Sequence, residues 1–184
     1  MKGRHRKKLP GLWLMTDERV GQASLLAAAA RLPKGRAGMV LRHYRTPKPE
    51  RRALFDRLAG IARRRRLVLM LGGTARQAAA WGADGWHGRD IRRAGYPLLH
   101  SMPVHDAREM RKAGAEGADL VFLSPLFVTR SHPGSPWLGR VRFAALARQA
   151  RVPVMALGGV RRGHRAMLKG LGASGWAAID ALSG

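Results

Sequence analysis

Eight short apolar runs punctuate the chain. They are "LWLMTD" (12–17), "GMVLRHY" (38–44), "LVLMLGG" (67–73), "GWHGRD" (85–90), "YPLLHSM" (96–102), "DLVFLSPLF" (119–127), "PVMALGGV" (153–160) and "GWAAIDAL" (175–182). Their apolar residues are continuous rather than alternating, the pattern of parallel strands buried on both faces. Amphipathic or Ala/Arg-rich stretches lie between them: "ASLLAAAARL", "PERRALFDRLAGIARRRR", "TARQAAAWG", "HDAREMRKAG", "VRFAALARQAR" and "RRGHRAMLKGLG". Thr74 and Asp106 stand where N-caps belong, and Pro49 stands near a helix start. Strands alternating with helices predict βαβ units and a parallel sheet. Eight such units favour a closed (β/α)8 TIM barrel, class α/β, over an open doubly wound sheet.

One phrase recurs: "GADGWHGRD" from Gly82, "GADLVFLSP" from Gly117 and "GASGWAAID" from Gly172. Each copy follows a helical run and precedes a strand. Gly suits the left-handed position that ends a helix, and Ala packs closely after it. The shared opening is a helix-stop and strand-start cassette. Its differing endings fall near strand C-termini, the face on which barrel enzymes carry their active sites.

The chain has 184 residues, whereas a barrel of this kind usually needs about 250. The helix after strand four, "IRRAG", is a turn or two. The chain stops soon after strand eight, so the eighth helix is expected to be missing or truncated. The flank it would cover calls for another shield, such as an N-terminal segment or a second subunit in a homodimer. Residues 1–10 read as a basic tail and 11–184 as a single barrel domain. The tail lacks the apolar stretch of a signal peptide. No apolar run reaches the roughly 18 residues needed to span a bilayer, so a cytoplasmic protein without membrane partners is expected.

Composition narrows the chemistry. With no cysteine, disulfides, thiolate zinc sites and cysteine nucleophiles are excluded. Lys and Arg number 35 against 11 acids, a formal net charge of +24. Such a field draws anions, phosphorylated small molecules and nucleic acids alike. Aromatic residues do not interleave with the basic runs as a nucleic-acid stacking platform requires, so nucleic acid is not the expected partner.

The strand ends supply the candidate chemistry. Strand two ends in Arg42, His43, Tyr44 and Arg45. Strand alternation puts Arg42 and Tyr44 on one face and His43 and Arg45 on the other. Arg42 suits bidentate phosphate recognition. Strand four offers His87 as a catalytic or structural imidazole, and Asp90 as a magnesium ligand or a helix cap. Strand five adds Ser101 as a substrate-binding candidate. Beyond strand six, Thr129, Arg130, Ser131 and His132 supply donors over a Pro/Gly-rich loop. Gly158 and Gly159 end strand seven, where backbone N–H groups can approach an anion closely. Asp180 lies at the end of strand eight beside that anion site, where a carboxylate repels phosphate.

In this order, these strand ends resemble the thiamine phosphate synthase superfamily, which includes the thiazole tautomerases. The likeness runs over nearly the whole chain and is most specific at strand six. There the family pattern is Gly-Pro-x-Phe-x-Thr-x-Thr-Lys, and this chain reads Ser124, Pro125, Leu126, Phe127, Val128, Thr129, Arg130, Ser131, His132. The resemblance implies a compact (β/α)8 fold. It also implies coupling of an aminopyrimidine-methyl diphosphate to a thiazole phosphate with release of pyrophosphate, assisted by Mg²⁺. By position, Arg42 and His132 would face the diphosphate and His87 would stand at the reacting centre. Thr129 and Ser131 would bond ligand oxygens and Gly158 and Gly159 would cradle the thiazole phosphate, while Tyr44 and Ser101 stand as further substrate-binding candidates and Asp90 as the candidate for the metal.

The chain also departs from the pattern. The family Gln-x-Arg-x-Lys of strand two reads Val40, Leu41, Arg42, His43, Tyr44. The Asn-Asp that ends strand three, the source of a magnesium carboxylate, is replaced by Gly72 and Gly73. The phosphate-binding Ser of strand eight falls at Asp180, and the tautomerase histidine falls at Pro125. A thiazole tautomerase-like or other thiamine-precursor-handling relative is therefore one alternative. A non-catalytic barrel binding an anionic ligand or nucleic acid is the other.

Overall fold

All eight runs are strands in the computed structural model, which describes residues 9–90, 98–128 and 136–179. They are β1 (Leu12–Met15), β2 (Ala37–Leu41), β3 (Val68–Gly72), β4 (Gly85–His87), β5 (Leu99–Val104), β6 (Leu120–Leu123), β7 (Val154–Ala156) and β8 (Gly175–Ala178). Each pairs in parallel with its sequence neighbour, and β8 pairs with β1 to close the barrel. The helices are α1 (Gln22–Arg31), α2 (Lys48–Arg65), α3 (Ala75–Trp81), α4 (Ala107–Ala115), α5 (Gly139–Gln149) and α6 (Arg165–Gly170).

The two-sided burial explains why the runs are continuous. Alternate residues enter different cores: Trp13, Val68, Met70, Leu120 and Phe122 fill the barrel interior. Leu14, Leu69 and Leu71 face helices on one side of the barrel, and Val121 and Leu123 face helices on the other. Trp13 is fully buried, meets Phe122 edge-on at 5.5 Å and donates its indole N–H to the Pro10 carbonyl at 2.8 Å. Its ring takes the volume that a side chain on Gly38 would need.

The repeated cassette has one geometry three times over. Gly82, Gly117 and Gly172 have φ of 74°, 66° and 86°. The next residue, Ala83, Ala118 or Ala173, donates its N–H to the carbonyl five positions back, at 3.0 Å in each case. That is the Schellman closure of a helix. The third residue then bonds the neighbouring strand through its own N–H. In the first two copies its carboxylate adds a second tie: Asp84 accepts the Leu69 N–H and Asp119 accepts the His100 N–H, both at 2.9 Å. So Asp84 and Asp119 do structural work that hydrophobic periodicity does not reveal.

Thr74 and Asp106 cap α3 and α4, accepting the N–H groups of Gln77 and Glu109 at 3.1 and 2.8 Å. The strands are shorter at their C-terminal ends than the apolar runs, except β5, which runs on to Val104. The short "IRRAG" segment and Asp180 lie outside the described residues. No eighth helix stands among the described residues. Where it would pack, a groove of about 1100 Å³ opens between α1 and α6, floored by Leu12, Leu32, Leu168 and Trp176. It lies on the barrel flank, toward the N-terminal ends of β1 and β8, away from the strand ends that carry the candidate chemistry. Among the described residues no helix is long and apolar enough to cross a membrane.

Candidate active site

The ends of β1 and β2 form one hydrogen-bonded corner. Thr16 is fully buried just past β1, and its hydroxyl oxygen accepts the Arg42 N–H and meets His43 Nδ1, both at 2.9 Å. The Arg42 side chain folds back so that Nε donates to the Thr16 carbonyl at 2.8 Å, with Nη2 3.5 Å from Asp17. Asp17 is gripped by Arg19 through two bonds of 2.8 Å. That grip is the main reason its carboxyl falls to a pKa of about 2, with the Arg42 charge contributing. Burial makes the Arg42 charge costly, and Asp17 offsets this. Arg42 therefore stands rigidly at the barrel mouth with 21% of its side chain exposed.

The face alternation expected for Arg42–Arg45 does not hold, because β2 ends at Leu41. His43 turns the chain at φ 23° and returns its ring to Thr16. Burial lowers the His43 pKa, so this imidazole is neutral. Tyr44 crosses to the end of β3. A Cβ built on Gly72 would lie 2.8 Å from the Tyr44 hydroxyl and 3.0 Å from the Leu41 carbonyl.

Arg51, on the buried face of α2, ties this corner together from behind. Its Nη2 donates to the carbonyls of Arg42 (2.9 Å) and Gly72, with Leu41 at 3.4 Å. Its guanidinium lies 5.7 Å from the ring centres of both Tyr44 and Trp81. Sequence reasoning passed over this residue, although a signal was present. Arg51 falls three and four positions before Leu54 and Phe55, on the helix stripe that becomes buried. Thr16 and Asp17 were likewise visible only as polar residues ending the first run.

His87 points into the barrel, 6% exposed, with its ring edge-on to Phe122 at 5.4 Å. Its Nδ1 meets the Ser101 hydroxyl at 3.0 Å, and Ser101 has no exposed surface. Burial, followed by the Arg42 charge, pushes the His87 pKa down to about 3. The imidazole is therefore neutral at physiological pH. On the outer face of the same strands, Trp86 stacks on His100 at 4.2 Å and donates its indole N–H to the Asp90 carbonyl.

Gly158 and Gly159 lie against the segment that follows β6. A Cβ on Gly158 would approach Pro125 Cα to 2.7 Å, and one on Gly159 would approach Phe127 Cβ to 2.8 Å. Phe127 N–H bonds the Gly158 carbonyl at 3.0 Å, which ties the strand-six end to the strand-seven end. The candidate residues Thr129, Arg130, Ser131 and His132 lie outside the described residues.

Among the described residues the donor set offers no ready-made cage for a divalent cation. Among the described residues no group of three His, Asp or Glu side chains comes together that could hold one. Glu18 spends Oε1 on the N–H groups of Arg45 and Thr46 and on the Thr46 hydroxyl, while Glu109 is bonded by Arg89 and His105. Mg²⁺ requires a near-octahedral oxygen shell anchored by one or two carboxylates.

Comparison with known proteins agrees with this geometry. Residues 12–182 match the family described as thiamine monophosphate synthase. The thiamine-phosphate synthase of Syntrophomonas wolfei is 30% identical, covering 94% of this chain and 88% of that protein. The enzyme of the same name from Salinispora arenicola is 32% identical over the same shares. In fold, thiamine phosphate pyrophosphorylase from Pyrococcus furiosus superposes with a TM-score of 0.76 at 21% identity, over 94% of this chain and 87% of that one. With a closed eight-stranded barrel and a family match running almost end to end, this chain belongs to the thiamine monophosphate synthase family.

Proposed function

We propose that the protein is a transferase that joins aminopyrimidine-methyl diphosphate to thiazole phosphate, giving thiamine phosphate and pyrophosphate. The bond from the pyrimidine methylene carbon to the diphosphate oxygen breaks, and pyrophosphate departs with the electron pair. The thiazole nitrogen lone pair then forms the new carbon–nitrogen bond. The protein's task is to neutralise the leaving group and hold the thiazole in line.

The observation that carries the reading is the anchoring of Arg42 at the mouth by Thr16 and Asp17, in a chain of this family. A guanidinium fixed in this way needs little reorganisation to meet a diphosphate. We assign Gly158 and Gly159 to the thiazole phosphate and Tyr44 to the diphosphate side, on the family resemblance and their positions at the strand ends. Thr129, Ser131 and His132 are assigned to ligand oxygens by sequence position alone. We assign neutral His87 to the reacting centre, where an imidazolium would oppose the charge of the pyrimidine cation, with Ser101 orienting its ring.

Purified protein given both substrates should form thiamine phosphate, followed by chromatography of the fluorescent thiochrome product. Arg42→Ala should lower kcat/KM by about 10²–10³-fold, the range for removing one preorganised donor to developing negative charge. Absence of product above background would overturn the reading. The tautomerase alternative has no comparable support, since Pro125 stands where that reaction's histidine would be.

A further inference from the structure

We propose that this barrel holds the diphosphate leaving group with the Arg42 guanidinium and without a divalent cation, because Tyr44, Gly72 and Gly73 close the corner where a metal carboxylate would stand. The inference rests on the synthase reading and concerns how that site meets its anion.

The corner is closed in two independent ways. A side chain at position 72 would have to push the Tyr44 phenol aside and would press on the Leu41 carbonyl at 3.0 Å, a tight contact with backbone. Position 73 has φ +141°, a conformation L-residues rarely adopt, and a Cβ there would lie 2.9 Å from the Gln77 side chain. The end of β3 therefore favours glycine over a residue that carries a carboxylate.

Asp17, the acid that ends the β1 run, cannot easily stand in. A metal drawing on Asp17 would have to displace both Arg19 bonds and the Arg42 contact. Glu18 Oε1 already holds the turn that follows β2 through three donors. Displacing the partners of Asp17 unpairs charge-assisted hydrogen bonds, which are about twice as strong as neutral ones. Arg42 stands at the mouth, and the whole chain carries +24. Guanidinium meets phosphate oxygens bidentately and stays charged over the whole working pH range.

Isothermal titration of inorganic pyrophosphate into metal-stripped protein tests this directly. Binding is expected in EDTA. Excess Mg²⁺ should leave the affinity equal or weaker, because Mg²⁺ competes for pyrophosphate in solution. Arg42→Ala should weaken binding in EDTA by about tenfold or more, a loss of about 1.4 kcal/mol or more. The proposal is overturned by tenfold tighter binding with Mg²⁺, by no binding in EDTA, or by an unchanged affinity in Arg42→Ala. Product formed only when Mg²⁺ is present would sink this inference and leave the synthase reading intact. Pyrophosphate bound in EDTA with no coupling product would do the reverse.

Discussion

Acidification should destabilise the protein through His87, and a single substitution should remove that effect. The imidazole titrates near 6.5 when unfolded and at about 3 in the fold, with burial the largest cause and Arg42 the next. Because the folded pKa is depressed, the unfolded chain binds the extra proton first as pH falls. The native state is then penalised by about 1.4 kcal/mol per pH unit below 6.5, levelling off near the folded value. Between neutral pH and about pH 4.5 the loss is about 2.7 kcal/mol, a sizeable part of the 5–15 kcal/mol typical of a domain. Urea unfolding followed by tryptophan fluorescence across this range measures it. His87→Gln keeps a hydrogen-bonding partner for Ser101 and has no proton to gain, so its stability should fall less steeply with acid. Equal slopes in the two proteins would refute the assignment. The same origin predicts that Arg42→Gln raises the His87 pKa, read from imidazole NMR shifts. No change there would mean that Arg42 and His87 do not face one cavity.

Arg51→Met should cost about 2–3 kcal/mol, because charged hydrogen bonds to the Arg42 and Gly72 carbonyls are lost. It should also lower kcat/KM by displacing Arg42, whereas a purely structural role would leave kcat/KM of the folded fraction unchanged. Gly158→Ala should destabilise by about 1–3 kcal/mol, since φ is +91° and the new methyl meets Pro125. A neutral result in thermal unfolding would argue against the packing of the strand-six and strand-seven ends.

Much of the architecture was legible because local chemistry and global packing agree. A strand buried on two faces must be apolar at every position, and a helix must end before the next strand begins. Apolar runs, the caps Thr74 and Asp106 and the recurring Gly-Ala therefore mark out the barrel from one dimension alone. The site was legible only in part. Arg42, His87 and the Gly158–Gly159 pair could be selected as strand-end residues, yet their states depend on neighbours far away in sequence. His87 is neutral because Phe122, Ser101 and Arg42 surround it.

Three matters were decided by the tertiary structure. The strand alternation that would separate Arg42 from His43 stops at Leu41, so both reach Thr16, 26 and 27 residues away in sequence. Arg51 reads as one arginine among many in α2 until the fold sets it behind Arg42 and Gly72. The glycines at the end of β3 look like a simple loss of ligands, but the fold brings the Tyr44 phenol against Gly72. Hydrophobic periodicity determined which segments are strands and helices, because burial acts on every residue of an element. Which polar groups meet at the mouth was decided by barrel closure, which brings together strand ends that no local pattern relates.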